Sequence, residues 1–210
     1  MGQLSARVAV AYHTGKGHTG SLAEAVAEGA GDIPGTGVDL VPVGQMDDRN
    51  WDVLDAADAI VFGSPTYMGG SSATFREFAE STSGIFADNM RWRDKIAAGF
   101  TVGGSMSGDK LQTLTQMAIF AAQHGMIWVG LDVYCGWNSS AGGPEQVNRI
   151  GSWLGVMAQA NVDQGPDTAP PASDLRTGAL LGRRVADLAH LHAHGRAGYV
   201  AGRVPVNSGM

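Results

Sequence analysis

Short, unbroken apolar runs that end in glycine-rich turns alternate along this chain with stretches whose apolar residues recur at helical spacing. The first run, Arg7–Tyr12, is rich in valine and predicts a strand buried on both faces. Ser21–Ala30 follows as a helix, with Leu22, Ala25, Val26 and Gly29 on one face. Val38–Val43 predicts a strand, and Pro42, which has no N–H to give a neighbour, puts it at the sheet edge. Asn50–Ala57 is a short helix and Asp58–Gly63 a third strand. A helix over Ser72–Ser83, a strand over Ala97–Val102, a long helix over Lys110–Gln123 and a fifth strand over Met126–Leu131 complete the alternation.

Strands that alternate with helices pair in parallel through right-handed crossovers, so the pattern predicts an α/β fold: a doubly wound sheet of five parallel strands with helices on both faces. From Asp132 to Ala172 the periodicity lapses, apart from a short helix or strand around Val147–Ala158. A loop of that length has a task or a partner. Ser173-Asp174 reads as an N-cap for a last amphipathic helix over Leu175–Ala189. There is no internal repeat. At 210 residues the chain forms a single domain, residues 1–192, followed by a C-terminal tail, 193–210.

Composition narrows the choice of partners. With 14 Lys and Arg against 20 Asp and Glu, the net charge of −6 gives no electrostatic reason to bind nucleic acid or an anionic membrane. Small molecules or protein are the expected partners. No apolar run approaches a membrane span, Met1–Arg7 lacks the regions of a secretory signal, and no metal-ligating cluster is evident. The single Cys135 cannot form an internal disulfide and is expected as a small buried residue, which fits a cytoplasmic protein.

Three glycine-rich loops carry the candidate chemistry, and each follows the carboxyl end of a strand, the edge at which open parallel sheets bind ligands. The first is His13, Thr14, Gly15, Lys16, Gly17, His18 and Thr19, closing at Gly20. Its amides and the free N–H groups of the next helix make a concave site for an anion, with phosphate as the natural occupant and the hydroxyls of Thr14 and Thr19 as further donors. Three readings compete. Gly15, Gly17 and Gly20 also fit the dinucleotide pattern G-x-G-x-x-G, although Asp39 stands near the start of the second strand rather than at its end, where a ribose would want it. A flavin monophosphate and a merely structural turn are the other two. The P-loop is excluded, because no Lys-Ser or Lys-Thr pair follows the second glycine.

The second loop, Ser64 to Gly70, holds Pro65, Thr66, Tyr67, Met68, Gly69 and Gly70: a rigid bend, a hydroxyl, and two large side chains fit to wall a flat ring. The third, Val102, Gly103, Gly104, Ser105, Met106, Ser107, Gly108 and Asp109, permits close backbone approach and ends in residues placed to cap the following helix. As a third loop on one edge, it would offer amides to the pyrimidine side of a flavin, where negative charge develops on reduction.

The segments Tyr12-His-Thr-Gly-Lys-Gly-His-Thr19, Gly63-Ser-Pro-Thr66, Asp94-Lys-Ile-Ala-Ala-Gly-Phe-Thr101 and Gln123-His-Gly-Met126 resemble the flavodoxin-like NAD(P)H:quinone oxidoreductases, also called the tryptophan repressor-binding protein family, and the related FMN reductases. The resemblance covers residues 6–131. It implies a flavodoxin-like sheet of order 2-1-3-4-5, with the FMN phosphate in the first loop and the isoalloxazine held by the second and third. It also implies NAD(P)H as co-substrate, a quinone or flavin as the small-molecule acceptor, and a homodimer or homotetramer. The family's catalytic histidine corresponds to His124, which precedes the fifth strand at the opposite sheet edge and would meet the flavin of a neighbouring subunit. Phe86 stands where the family often has a tryptophan lining the substrate cavity, with Tyr67 as a second lining residue and Trp92 as a rival for that place. Tyr67 and Met68 replace the arginine and aromatic common in the family's second loop. Two other functions are open: a one-electron flavodoxin-type carrier, and a specialised FMN enzyme of a biosynthetic pathway that uses Asp132–Pro171 to hold its substrate.

Overall fold

The computed structural model describes residues 5–198, with side chains through 195. The chain runs β1 (Ala6–Tyr12), α1 (His18–Gly31), β2 (Thr36–Pro42), α2 (Asp48–Ala56), β3 (Ala59–Tyr67), β4 (Gly70–Ser71), α3 (Ala73–Ser81), α4 (Ser83–Ala87), β5 (Ile96–Gly103), α5 (Lys110–Gln123), β6 (Ile127–Trp128), β7 (Val156–Gln159) and α6 (Ala172–Gly198). The parallel sheet has the order β2-β1-β3-β5-β6, with β7 also paired to β5 and β4 folded back antiparallel on β3. This is the expected doubly wound arrangement, with the proline-bearing β2 at one edge.

The fifth position differs from expectation. Only Ile127 and Trp128 pair with the start of β5, opposite Ile96 and Ala97. The chain then leaves the sheet near Gly130, where Leu131 donates its N–H to the Trp153 carbonyl, and returns as β7 to pair Val156–Gln159 with Phe100–Gly103. One edge position is therefore filled by two short strands, with residues 132–155 as an excursion between them. A Cβ at Gly130 would lie 2.6 Å from the Trp153 carbonyl oxygen, so the close return of the chain requires glycine there.

Two apolar layers flank the sheet. On one face Val8, Val10, Val61 and Phe100 pack against Leu22 and Val26 of α1 and Leu181 and Val185 of α6. On the other, Ile60 and Phe62 meet Leu54 of α2, Phe75 and Phe78 of α3 and Leu114 and Met117 of α5. Helices α1 and α6 touch backbone to backbone: a Cβ at Gly29 or at Gly182 would strike a main-chain carbonyl, that of Ala179 or of Val26.

Two helix ends differ from the sequence prediction. Helix α6 starts at Ala172, so Ser173 and Asp174 lie inside its first turn and are fully buried rather than capping it. Pro171 supplies the stop instead, and its carbonyl accepts from the N–H groups of Asp174 and Leu175. The same helix runs through residue 192, so the tail expected from residue 193 begins as helix; residues 199–210 lie outside the described residues. Helix α1 begins at His18, three residues earlier than expected.

Candidate functional site

The first loop leaves β1 at Tyr12, and the His13 N–H bonds to the Gly63 carbonyl at 3.0 Å. Gly20 donates its N–H to Thr14 Oγ1 (3.1 Å), which leaves the threonine's own hydrogen to donate elsewhere. Ser21 N–H goes to the Gly17 carbonyl. The amides of residues 15–19 have no protein acceptor among the described residues. They ring the N-terminus of α1, whose first turn holds no acidic residue, and Lys16 stands beside them. Free N–H groups, the helix dipole and one cation together make a cradle for an anion.

His13 turns away from that cradle. Its Nδ1 lies 2.8 Å from Ser72 Oγ, which already accepts from the Phe75 N–H as the N-cap of α3. The two side chains are hydrogen-bonded, and burial holds His13 below its usual pKa.

The second loop is a two-residue hairpin. Thr66 pairs with Ser71 and Tyr67 with Gly70, and the turn residues Met68 and Gly69 have φ of 48° and 84°. Met68 is wholly exposed at the tip. The hydroxyl of Thr66 is engaged within the protein. Thr101 Oγ1 donates to the Ser64 carbonyl, so Thr66 must donate to Thr101 and Thr113 to Thr66, a chain with links of 2.7, 2.8 and 2.8 Å. That chain ties the second loop to β5 and α5.

The third loop leaves β5 at Gly103. Behind it, Lys110 is fully buried and donates from Nζ to the carbonyls of Ser105 (2.5 Å) and Met106 (3.0 Å). Desolvation pushes its pKa down, opposed by the Asp174 carboxylate. Asp109 does not cap α5 as expected. It takes a left-handed conformation (φ 56°), and its side chain makes no capping bond.

A fourth wall comes from the segment after β7. Lys16 Nζ reaches the Val162 carbonyl at 3.5 Å, His18 Nε2 donates to the Gln164 carbonyl at 2.7 Å, and Ser21 Oγ donates to the Pro166 carbonyl at 3.4 Å. Gly17, at φ 94°, lies so close to the Pro166 ring that a Cβ there would stand 2.8 Å from it. The four segments enclose a cleft of about 220 Å³ lined by Lys16, His18, Thr19, Pro65, Thr66, Tyr67, Val102, Gly103, Gly104, Ala160 and Val162. All three sequence-assigned loops meet here. His13, Thr14, Gly15, Gly17, Met68, Gly69, Gly70, Ser105, Gly108 and Asp109 do not line it, and Ala160 and Val162 had no sequence signal beyond the length of the irregular region.

His124 lies elsewhere. It caps the C-terminus of α5, the far end from Lys110 and about 20 Å along that helix. Thr82 Oγ1 donates to the Ala79 carbonyl, so His124 Nε2 must donate to Thr82 (2.9 Å), and the bare Nδ1 is buried without a partner. Burial lowers its pKa. His124 and Phe86, whose rings meet edge to face at 6.2 Å, belong to a separate cavity of about 520 Å³ between α3, α4 and α5. Trp92 does not compete with Phe86 for that place: it is fully buried, with Nε1 donating to Asp55 Oδ1 at 2.7 Å. Cys135 is half-exposed rather than buried. Among the described residues no group of three or more His, Cys, Asp or Glu side chains could hold a metal, and no helix is long and apolar enough to cross a membrane.

An anion cradle and a ring-sized cleft at the carboxyl edge of the parallel β2-β1-β3-β5-β6 sheet define a flavodoxin-like nucleotide-binding protein, and comparison with known proteins agrees. The NADPH-dependent FMN reductase family matches residues 51–136. Flavodoxin FldP of Pseudomonas aeruginosa is 38% identical over 188 residues, covering 89% of this chain and 99% of that one. An NAD(P)H dehydrogenase (quinone) of Paracoccus denitrificans is 31% identical over 215 residues, covering 93% and 96%. The crystal structure of a flavodoxin, WrbA-like protein from Agrobacterium tumefaciens superposes with a TM-score of 0.67 at 38% identity, covering 90% and 99%. The chain belongs to the flavodoxin-like NAD(P)H:quinone oxidoreductase and FMN reductase family.

Proposed function

We propose that this protein is an FMN-dependent oxidoreductase that passes reducing equivalents from NAD(P)H to a quinone or flavin. The observation that carries the reading is the cradle of unpartnered amides over residues 15–19, next to Lys16 and a cleft walled by Tyr67. These residues fit FMN. The first loop and the hydroxyl of Thr14 take the phosphate. Tyr67, Pro65 and Val162, which line the cleft, would flank the ring, and the backbone of Val102, Gly103 and Gly104 would meet its polar edge.

Held in this cleft, FMN would supply the hydride chemistry between nicotinamide and acceptor, which belongs to the cofactor. The protein's part is placement. The Thr113–Thr66–Thr101 hydroxyl chain fixes the second loop against the third, and the clasp of His18 on Gln164 closes the phosphate end. The half-exposed Tyr67 leaves one face of the ring site open to nicotinamide and acceptor in turn. A homodimer or homotetramer is part of this reading. In it the cavity of Phe86 and His124 borders a neighbouring subunit's cleft, which is the way His124 enters the reaction.

The test is NAD(P)H oxidation by FMN-loaded protein with benzoquinone as acceptor; turnover at background would overturn the proposal. The likeness to Flavodoxin FldP supports a second reading, a one-electron carrier. Photoreduction separates the two, since a carrier titrates in two resolved one-electron steps and a hydride enzyme in one two-electron step.

A further inference from the structure

The charged side chains buried beneath the third loop do not balance. Lys110 is fully buried, and Arg149 and Asp174 are bound as a bidentate pair at 2.7 and 2.8 Å with side-chain exposures of 5% and 2%. Two buried cations therefore face one buried carboxylate, which pairs directly with Arg149 and acts on Lys110 only through space; Asp174 also accepts from the N–H of Gln159 at 2.9 Å. Asp109, which also favours the charged form of Lys110, is exposed. A buried cluster with one positive charge in excess favours an anion nearby.

The cluster is joined to the cleft. Lys110 Nζ holds the carbonyls of Ser105 and Met106, so those two oxygens point inward and the N–H groups on the other side of the same peptides, of Met106 and Ser107, point outward. A Cβ at Gly103, which lines the cleft, would stand 3.6 Å from Nζ. Arg149 reaches the same loop, with its guanidinium 3.8 Å from Met106 Sδ. The charge lies one layer of backbone behind the cleft.

Resting on the FMN reading of the site, we propose that Lys110 is a positioning residue that tunes the flavin: its buried charge, with Arg149 and against Asp174, makes the site bind the reduced, anionic ring more tightly than the oxidised one. Two electrons and one proton, supplied together by a nicotinamide that is oxidised to NAD(P)+, turn the neutral ring into a monoanion whose charge is spread over N1 and the adjoining carbonyl oxygen. Of the third loop, Gly103 and Gly104 line the cleft, and Lys110 Nζ lies directly behind Gly103, so its charge acts across one layer of backbone on the edge where the new charge would form. The effect favours the reductase over a low-potential carrier.

The experiment measures the two-electron midpoint potential of bound FMN, by equilibration with a reference dye, in wild type, Lys110→Met and Asp174→Asn. Lys110→Met removes a positive charge and is expected to weaken binding of reduced FMN about tenfold relative to oxidised FMN, which lowers the potential by about 30 mV. Asp174→Asn removes the opposing charge and is expected to raise it. A purely structural role would not give shifts of opposite sign. Potentials that stay together, or that move in the same direction, overturn the inference. If Lys110→Met does not fold, Asp174→Asn decides alone: a rise supports the inference and any other result overturns it. A wild-type protein that binds no FMN overturns the reading of the site, and this inference with it.

Discussion

His18 donates Nε2–H to the carbonyl of Gln164 at 2.7 Å and so pins the first turn of α1 to a segment 146 residues further along the chain. The bond makes the exposed residues after β7 a wall of the cleft rather than a free loop.

Removing it is expected to loosen that wall. His18→Ala should weaken FMN binding about threefold to tenfold, the worth of one partly buried hydrogen bond of ~1 kcal/mol. Quenching of FMN fluorescence gives the affinity, and hydrogen exchange at residues 161–167 should quicken in the same variant. Unchanged exchange there would show that the clasp does not hold the segment.

Gly15 and Tyr67 should be energetically coupled, because a Cβ at Gly15 would collide with the tyrosine hydroxyl. Gly15→Ala is expected to weaken FMN binding by displacing Tyr67, while Tyr67→Ala loses the ring contact, ~1 kcal/mol. In the double variant the clash is gone, so the loss should be smaller than the two single losses summed. Simple additivity would refute the coupling.

The backbone contact of α1 with α6 predicts a stability effect without a site effect. Gly29→Ala drives a methyl into the Ala179 carbonyl and should destabilise the fold by ~1–3 kcal/mol, read as a lower urea midpoint. FMN affinity of the folded fraction should stay within a factor of two of wild type, roughly the spread expected for a site that the substitution does not touch.

Stability should fall in mild acid. His13 and His124 are both held below the ordinary histidine value of 6.5 by burial, so below that pH the unfolded chain takes up protons that the folded chain refuses. Their contribution is intact above pH 6.5 and is lost progressively as the pH drops toward their folded values. Urea midpoints at pH 7.5 and 5.5 measure the loss, and His124→Gln should make the difference between them smaller.

Much of this was legible from the chain. Lys110–Gln123 is a helix between the predicted residues, and the loops after Tyr12, Gly63 and Val102 meet because parallel strands place every such turn on one edge. What escaped depends on distant contacts. Val156–Gln159 was legible only as a short helix or strand somewhere around Val147–Ala158, and becomes a strand by pairing with the upper half of β5, which β6 leaves unpaired. Lys110, at the first position of an amphipathic helix, reads as a solvated charge until the carbonyls of Ser105 and Met106 wrap it. Asp174 looks like a cap in sequence because its partner, Arg149, is 25 residues away.

The interrupted edge position has a practical corollary. Ile127–Trp128 and Val156–Gln159 are each zipped to β5 by their own ladder and tied to one another through Leu131–Trp153 and Trp128–Leu154, so the turn between them is not what holds either in place. The exposed turn around Asn138–Ala141 is thus a natural point at which to nick the polypeptide, graft a reporter or relocate the termini. A graft that spared Arg149 would keep its ion pair with Asp174 beneath the third loop.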